Sequence, residues 1–230
     1  MSSTAQGARA RARMEVTAAI KDEARRQLAQ EGAARLSLRA VARTLGMVSS
    51  ALYRYFPSRD DLLTALIIDA YDSLGASAEA ANERVGDAAP LERWTAVAEA
   101  VRVWALEHPH EYALIYGSPV PGYTAPMTTV PAASRVGLLF IAIVRDAHQE
   151  GVLADAPELP DDLVAEAGRM AADLAPDLPP AAVVALIAAW AELFGLVGFE
   201  LFGQFNRVVE DRPPFFRHAA IRIAHGVGLR

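Results

Sequence analysis

The sequence predicts an all-α protein of about nine helices, and three observations support this prediction. Hydrophobic residues make up 53% of the 230 residues, which is ample for a packed core. Alanine, leucine and arginine, which favour helices, are plentiful. Apolar residues recur every third or fourth position in several segments, whereas alternating runs of strand-forming residues are scarce.

The first two predicted helices begin and end at residues typical of helix termini. Helix one begins near Met14 and ends at Gly32, and helix two is capped by Ser37 and ends at Gly46. The first helix carries an apolar stripe that consists of Val16, Ile20, Ala24 and Leu28. These two helices, with a third, would form a small N-terminal domain.

The third predicted helix covers residues 48–56, and Pro57 ends it before Ser58 caps a fourth helix. Two short helices joined by a tight turn are typical of a helix-turn-helix. Leu52 and Phe56 lie four residues apart and can bury together against the first helix. The small and polar residues between them would then face a DNA groove.

The remaining helices are separated by segments rich in proline and glycine. The segment Gly117–Pro131 contains four prolines and cannot form a regular helix. The predicted later helices cover residues 91–107, 132–150, 161–174 and 181–205, and a last one begins at Pro213. They would form a larger helical domain.

Charge is distributed unevenly along the chain. The net charge is −6, yet residues 1–60 hold 11 Lys and Arg against 5 Asp and Glu. We therefore expect a basic arm over residues 1–13, a DNA-binding domain over residues 14–60 and an acidic body over residues 61–230. The arm is predicted to be disordered, with Arg9, Arg11 and Arg13 either in a minor groove or simply solvated.

Two segments resemble the TetR family of transcriptional regulators, of the TetR/AcrR-like kind. "LYRYFPSRDDLL", Leu52–Leu63, is similar to the end of that family's helix-turn-helix. "WAELFGLVGFELFG", Trp190–Gly203, is similar to the penultimate helix of a common C-terminal type, the WHG type. The resemblance implies an all-α fold in which a three-helix DNA-binding domain precedes a ligand-binding and dimerisation domain.

The resemblance also implies roles for individual residues toward duplex DNA. Phosphate contacts would come from Ser37, Arg39 and Arg59. Base-edge contacts would come from Ser49, Ser50 and Ala51. Tyr53 and Tyr55 would contact the DNA backbone or thymine methyl groups, and Arg54 would also face the groove. Two positions depart from the family pattern. Val48 replaces a capping serine, and Arg59 replaces a lysine.

The segment 181–205 is apolar nearly all round, which is typical of a membrane span or of a helix buried on two sides. Glu192 and Glu200 interrupt it and no basic flank is present, so we favour burial in the chain's own domain and in a second copy. The residues predicted at this homodimer interface are Leu186, Phe194, Val197, Phe202, Phe215 and Ile223. A symmetric dimer implies a palindromic operator.

Aromatic residues and methionines in the body indicate a site for a small hydrophobic or aromatic effector. The candidates are Trp104, Tyr112, Tyr116, Met127, Phe140, Met170 and Trp190. We expect two or three of them to line a cavity and the others to lie in the core.

Other classes of site receive little support. The chain has no cysteine, and the histidines and glutamates of Glu107–Tyr112 lack a distant metal-ligating partner. We therefore expect no metal, no cofactor, no catalysis and a cytoplasmic location. The prediction is a ligand-responsive homodimeric DNA-binding repressor. The alternatives are a helical enzyme and a helical interaction protein with a cavity in its body.

Overall fold

The computed structural model describes residues 2–156 and 158–230, and this part of the chain is all-α, as predicted. It contains ten α-helices, two short 3-10 turns at Ala33–Arg35 and Met127–Thr129, and no strand. The helices are α1 (Ser2–Glu31), α2 (Leu38–Thr44), α3 (Ser49–Leu52), α4 (Arg59–Val85), α5 (Pro90–Glu107), α6 (Pro109–Tyr116), α7 (Val130–Gln149), α8 (Asp161–Leu174), α9 (Pro180–Leu201) and α10 (Arg212–Val227).

Helix α1 differs from the sequence prediction at its start. It begins at Ser2, whereas a disordered arm over residues 1–13 and a helix from Met14 were expected. Alanine and arginine, which alternate over residues 8–13, are both strong helix formers, and no proline interrupts the segment. The basic arm is therefore a helical extension with exposed residues from Gly7 to Arg13. Met1 lies outside the described residues.

Helix α3 is shorter than predicted. It covers Ser49–Leu52, and the chain continues in hydrogen-bonded turns to Phe56, whose amide donates to the carbonyl of Leu52 at 3.1 Å. Val48 precedes the helix and provides no side-chain cap, since the side chain of valine has no hydrogen-bond acceptor.

The chain forms two compact units. The first comprises the chain up to Ala70 together with His110–Val130, and the second comprises Tyr71–Pro109 and Pro131–Arg230. The sequence placed a boundary at residue 60, but the start of α4 and residues 110–116 of α6 group with the helix-turn-helix.

The core of the first unit fixes the position of α3. Leu52 is fully buried, and Phe56, Ile20 and Leu63 are buried with it. Ser37 caps α2 by accepting a hydrogen bond from the amide of Ala40. At the start of α4, Ser58 Oγ accepts from the amide of Asp61 at 3.0 Å and donates to its carboxylate at 2.7 Å. These caps define where the chain enters and leaves the helix-turn-helix.

Glu23 is a buried acid within this unit. Its carboxylate accepts two hydrogen bonds from Arg26, at 2.6 and 2.7 Å, and one from Gln27 at 3.1 Å. The hydrogen bonds from Arg26, followed by those from Gln27 and Thr44, lower the pKa of Glu23 to about 2, against the opposing effect of burial. Glu23 lies on α1 and Thr44 is the last residue of α2, so the hydrogen bond between their side chains links the two helices.

We expect Glu23 to make stability depend on pH. A carboxyl whose pKa is lower in the folded state stabilises the fold above its unfolded pKa, about 4.5, and loses that contribution as pH falls toward 2. Glu23→Gln should cost about 2 kcal/mol at pH 6, less than the full shift implies because Arg26 is half exposed. Urea unfolding followed by circular dichroism should show the gap to wild type narrowing at pH 3. A gap that stays constant between these pH values would contradict this role.

The second unit has an aromatic and aliphatic core with one buried ion pair. Trp94 and Phe140 pack with ring centroids 4.3 Å apart. Arg102 on α5 donates twice to the Glu200 carboxylate on α9, at 2.6 and 2.7 Å, and the two side chains are 12% and 4% exposed. This bidentate pair explains how an acidic residue is accommodated at the buried end of an apolar helix.

Candidate nucleic-acid interface and ligand cavity

The residues of α3 and of the turns that follow it, up to Phe56, separate into a buried and an exposed set, as the helix-turn-helix prediction requires. Leu52 and Phe56 are buried. Ser49, Ser50 and Arg54 are exposed, Ala51 and Tyr55 are partly buried, and Tyr53 is 41% exposed. Small residues at the start of the helix allow close approach to base edges.

A shallow surface depression brings together four of the residues predicted to contact DNA. Ser37, Arg39, Tyr53 and Arg59 all line it, next to Ser58. It therefore combines two cationic side chains with three hydroxyl groups beside the N-terminus of α4. This combination suits a phosphate oxygen, which accepts hydrogen bonds and carries negative charge.

Arg59 is anchored more firmly than the sequence indicated. Its Nη2 donates to the carbonyls of Ala33 at 2.9 Å and Ala34 at 3.3 Å, and its guanidinium pairs with Asp60 at 3.5 Å. The side chain thus connects the start of α4 to the turn that follows α1, a link that a lysine could not make with the same planar group.

Tyr55 packs against the extension of α1. The guanidinium carbon of Arg13 lies 5.3 Å from the centre of the Tyr55 ring, which is within the range of a cation–π contact. Arg13 and Tyr55, predicted separately as an arm residue and a DNA-contact residue, are therefore neighbours. Arg9 and Arg11 are exposed.

Ion pairing leaves a set of arginines available to an external anion. Arg25 pairs with Asp22, Asp69 and Glu111 at 2.7–3.1 Å, and Lys21 pairs with Asp69 at 2.8 Å. By contrast, the exposed arginines of α2 and of the turns after α3 form no ion pair within residues 2–156 and 158–230; these are Arg39, Arg43 and Arg54. The helix-turn-helix therefore presents uncompensated positive charge.

The second unit contains an apolar cavity of about 340 Å³ between α5, α7, α8 and α9. Trp94, Leu138, Phe140, Leu186 and Trp190 are among the side chains that line it, and none of its lining residues is charged. Its volume lies at the lower end of the range for small-molecule sites, roughly 300–1,000 Å³.

Of the seven residues predicted to line an effector cavity, the structure brings only Phe140 and Trp190 to this one. Trp104 is buried elsewhere, where its Nε1 donates to Ser73 Oγ at 2.9 Å. The other four lie elsewhere. Tyr112 is buried, and its ring centroid lies 5.1 Å from that of Tyr116. Met127 is 81% exposed, and Met170 on α8 is partly exposed. Helical spacing identified apolar faces but could not show which of them border a void.

Trp94 is the aromatic residue of the cavity wall that the sequence prediction did not include. It lies within the predicted helix 91–107, where a tryptophan at helical spacing is typical of an ordinary core residue. Only the arrangement of α5 against α7 and α9 shows that the indole is also a cavity wall.

The structure separates the six predicted dimer-interface residues into two groups. Leu186, Phe194, Val197 and Ile223 are buried within their own unit, so they cannot contribute much surface to a partner. Phe202 and Phe215 are exposed. Further exposed residues on α9 recur every three or four positions and form a single stripe: Ala188, Ala191, Gly195 and Phe199. This stripe, defined as the α9 stripe, replaces the buried four as the candidate interface.

A basic helix-turn-helix attached to an all-helical unit with an apolar cavity defines the class of helix-turn-helix transcriptional regulators. Residues 20–66 match the family described as bacterial regulatory proteins, tetR family, and residues 94–222 match the tetracyclin repressor-like C-terminal domain. The chain belongs to the TetR family of DNA-binding transcriptional regulators, a family that is not enzymatic.

Relatives and solved structures agree with this assignment over most of the chain. The HTH-type transcriptional regulators Rv1816 of Mycobacterium tuberculosis and Mb1846 of Mycobacterium bovis are each 40% identical over 206 residues, covering 87% of this chain and 86% of theirs. The regulatory protein SCO4313 has a similar structure, with 35% identity, a TM-score of 0.72 and coverage of 92% and 96%. A structure from Rhodococcus sp. RHA1, 24% identical with a TM-score of 0.70 and coverage of 92% and 95%, shares the fold.

The family assignment also bears on two apolar helical segments. Met127–Gln149 and Pro180–Leu201 are long and apolar enough to cross a membrane by length and composition alone. Core helices of globular proteins pass the same test, and the buried Arg102–Glu200 pair lies at the end of the second segment. Membership of a transcriptional regulator family agrees with core helices here and not with membrane spans.

Proposed function

We propose that this protein is a homodimeric repressor that binds a palindromic operator and is released by a small hydrophobic effector. The observation that carries the proposal is the exposed surface of α3 and of the turns after it, which presents Ser49, Ser50 and Tyr53. Tyr53 lines the same depression as Arg39, and neither Arg39 nor Arg54 has an ion-pair partner among the described residues. This face supplies both base-edge contacts and phosphate contacts.

Dimerisation is proposed through the α9 stripe and the exposed aromatic end of α9 and α10. Phe199 is 54% exposed, and its ring contacts that of Phe205, which in turn contacts Phe215. Small residues followed by aromatic residues allow two helices to approach closely and then bury a large apolar area. A two-fold symmetric dimer has two copies of α3, which matches an operator with two half-sites.

Effector binding is proposed in the cavity of the second unit, because its wall is apolar and uncharged. RolR, a fold neighbour of 17% identity and TM-score 0.53, has been crystallised with the ligand resorcinol. A ligand that binds one conformation of the dimer better would shift the population of DNA-competent dimers.

Selection from a pool of random duplexes tests this function. The full-length protein should enrich a sequence with two-fold symmetry and half-sites about one helical turn apart or a multiple of it, roughly 10 base pairs. Enrichment of an unsymmetrical site would contradict the dimer, and recovery of no sequence above background would contradict operator recognition.

The exposed arginines of the α1 extension give a smaller, separate prediction. If Arg9 and Arg11 each contact one phosphate, the double variant Arg9→Ala/Arg11→Ala should reduce the slope of log K against log salt concentration by about 2. Fluorescence anisotropy on the selected duplex measures this slope between about 50 and 200 mM salt, where the affinity for DNA changes strongly with salt concentration. An unchanged slope would show that the extension remains solvated beside DNA.

A further inference from the structure

Trp94 on α5 is both a wall of the cavity and a buried hydrogen-bond donor without an acceptor. Its side chain is 1% exposed, and the indole lies against Phe140. No atom in the described part of the chain accepts a hydrogen bond from its Nε1. Buried donors are almost always paired in native proteins, so an unpaired one needs a physical explanation.

Comparison within the chain shows that this arrangement is specific to the cavity. Trp104 on the same helix is also buried, and its Nε1 donates to Ser73 Oγ at 2.9 Å. Two other lining residues have polar side-chain atoms: the Ser134 hydroxyl donates to the carbonyl of Pro131 at 3.1 Å, and the indole of Trp190 is 44% exposed. The indole N–H of Trp94 is therefore the buried donor of this wall that has no acceptor.

We propose that Trp94 is the polar contact for the effector, and that the effector is a neutral hydrophobic molecule with a hydrogen-bond acceptor, such as a ketone, ester or lactone carbonyl. The inference rests on the proposed function, because it takes the cavity as the effector site. The indole nitrogen has almost no accessible surface, so an acceptor reaches it only when the side chains around it shift. An acceptor that does so removes an existing desolvation penalty, so the contact discriminates strongly against a molecule of equal shape without one.

The uncharged wall of the cavity favours neutral ligands over charged ones. A carboxylate, a phosphate ester or an ammonium group entering the cavity would lose its hydration without meeting an opposite charge. We therefore expect hydrophobic acids and amines to bind more weakly than neutral molecules of the same size, unless the charged group stays at the rim, where Leu138 and Trp190 are exposed.

Matched ligands in which only the carbonyl oxygen is replaced by a methylene group test the contact. The pairs are 2-acetylnaphthalene with 2-isopropenylnaphthalene, and 2-undecanone with 2-methyl-1-undecene. For at least one pair, calorimetry on the full-length protein should show the ketone binding about tenfold more tightly, which corresponds to about 1.4 kcal/mol. Trp94→Phe should bring both members of that pair to similar affinities, whereas Trp190→Phe, which alters the other tryptophan of the wall, should keep the preference.

The indole resonances supply a readout that does not depend on affinity. The chain has three tryptophans, so a ¹⁵N-correlated spectrum contains three indole N–H signals, and Trp94→Phe identifies the one from Trp94. This signal should lie upfield of the hydrogen-bonded Trp104 signal in the free protein and should move downfield with the ketone but not with the alkene.

Each outcome separates this inference from the function on which it rests. Equal binding of ketone and alkene, or a Trp94 signal that is already hydrogen-bonded in the free protein, would overturn the role of Trp94 and leave the cavity as an effector site. Tighter binding of 2-naphthoate than of 2-acetylnaphthalene would overturn the preference for neutral molecules. Failure of all these compounds to bind would overturn the cavity as an effector site, while operator selection would still test DNA recognition.

Discussion

Replacing Ser50 with glutamate should lower the affinity for the selected operator by at least about 100-fold, or about 2.8 kcal/mol. Ser50 lies in the first turn of α3, its side chain is exposed, and its hydroxyl makes no hydrogen bond within the described residues. A carboxylate at this place would face phosphates and acceptor-rich base edges, where like charge costs several kcal/mol. The fold should tolerate the change, because negative charge is favourable at the start of a helix.

Two controls isolate the charge from the size of the new side chain. Ser50→Gln has nearly the same shape without the charge and should lose only about tenfold, which corresponds to one base-edge contact. Ser118→Glu makes the same change in charge at an exposed loop position outside α3 and should bind like wild type. Fluorescence anisotropy at constant salt measures all three. Wild-type affinity for Ser50→Glu would show that α3 does not enter a groove.

The sequence was most informative where local chemistry determines structure. Ser37 and Ser58 cap α2 and α4 as expected, because a serine before an apolar run satisfies free backbone amides whatever surrounds it. Helix α8 has the predicted bounds because prolines flank it on both sides. The helix-turn-helix and its family were predictable for the same reason, since a short motif specifies the turn, the buried pair Leu52 and Phe56, and the exposed polar residues.

Prediction was weaker where structure depends on distant contacts. Helix α9 is apolar nearly all round, so periodicity alone could not show which side packs inside the unit. Leu186 and Val197, which were predicted at a dimer contact, are buried within the unit. The same limit hid the cavity role of Trp94. The α1 extension was missed for a different reason: alternating arginines suggested a solvated arm, although arginine and alanine both favour helix.

Substitution of Gly195 by arginine should convert the dimer to monomers. Gly195 is exposed at the middle of the α9 stripe, and no atom lies within 4 Å of the position that a Cβ would take. Arginine is a far better helix former than glycine, so α9 itself should gain about 0.8–1 kcal/mol of stability. In a two-fold contact the same patch meets its own copy, so each dimer would have to accommodate two long charged side chains in a closely packed apolar seam.

Loss of the dimer should weaken operator binding, because two linked DNA-binding domains bind one palindrome about 10²–10⁴ times more tightly than a single domain does. We therefore expect Gly195→Arg to lower operator affinity by about 1,000-fold, and analytical ultracentrifugation should show a single species of monomer mass. Gly168→Arg is the matched control, since Gly168 is also exposed, helical and without neighbours within 4 Å of a Cβ, but belongs to α8 and not to the α9 stripe. It should remain dimeric and bind normally. If both variants stay dimeric, the two-fold contact lies on another surface, whereas if both dissociate, an added arginine on this unit acts through charge rather than through the α9 stripe.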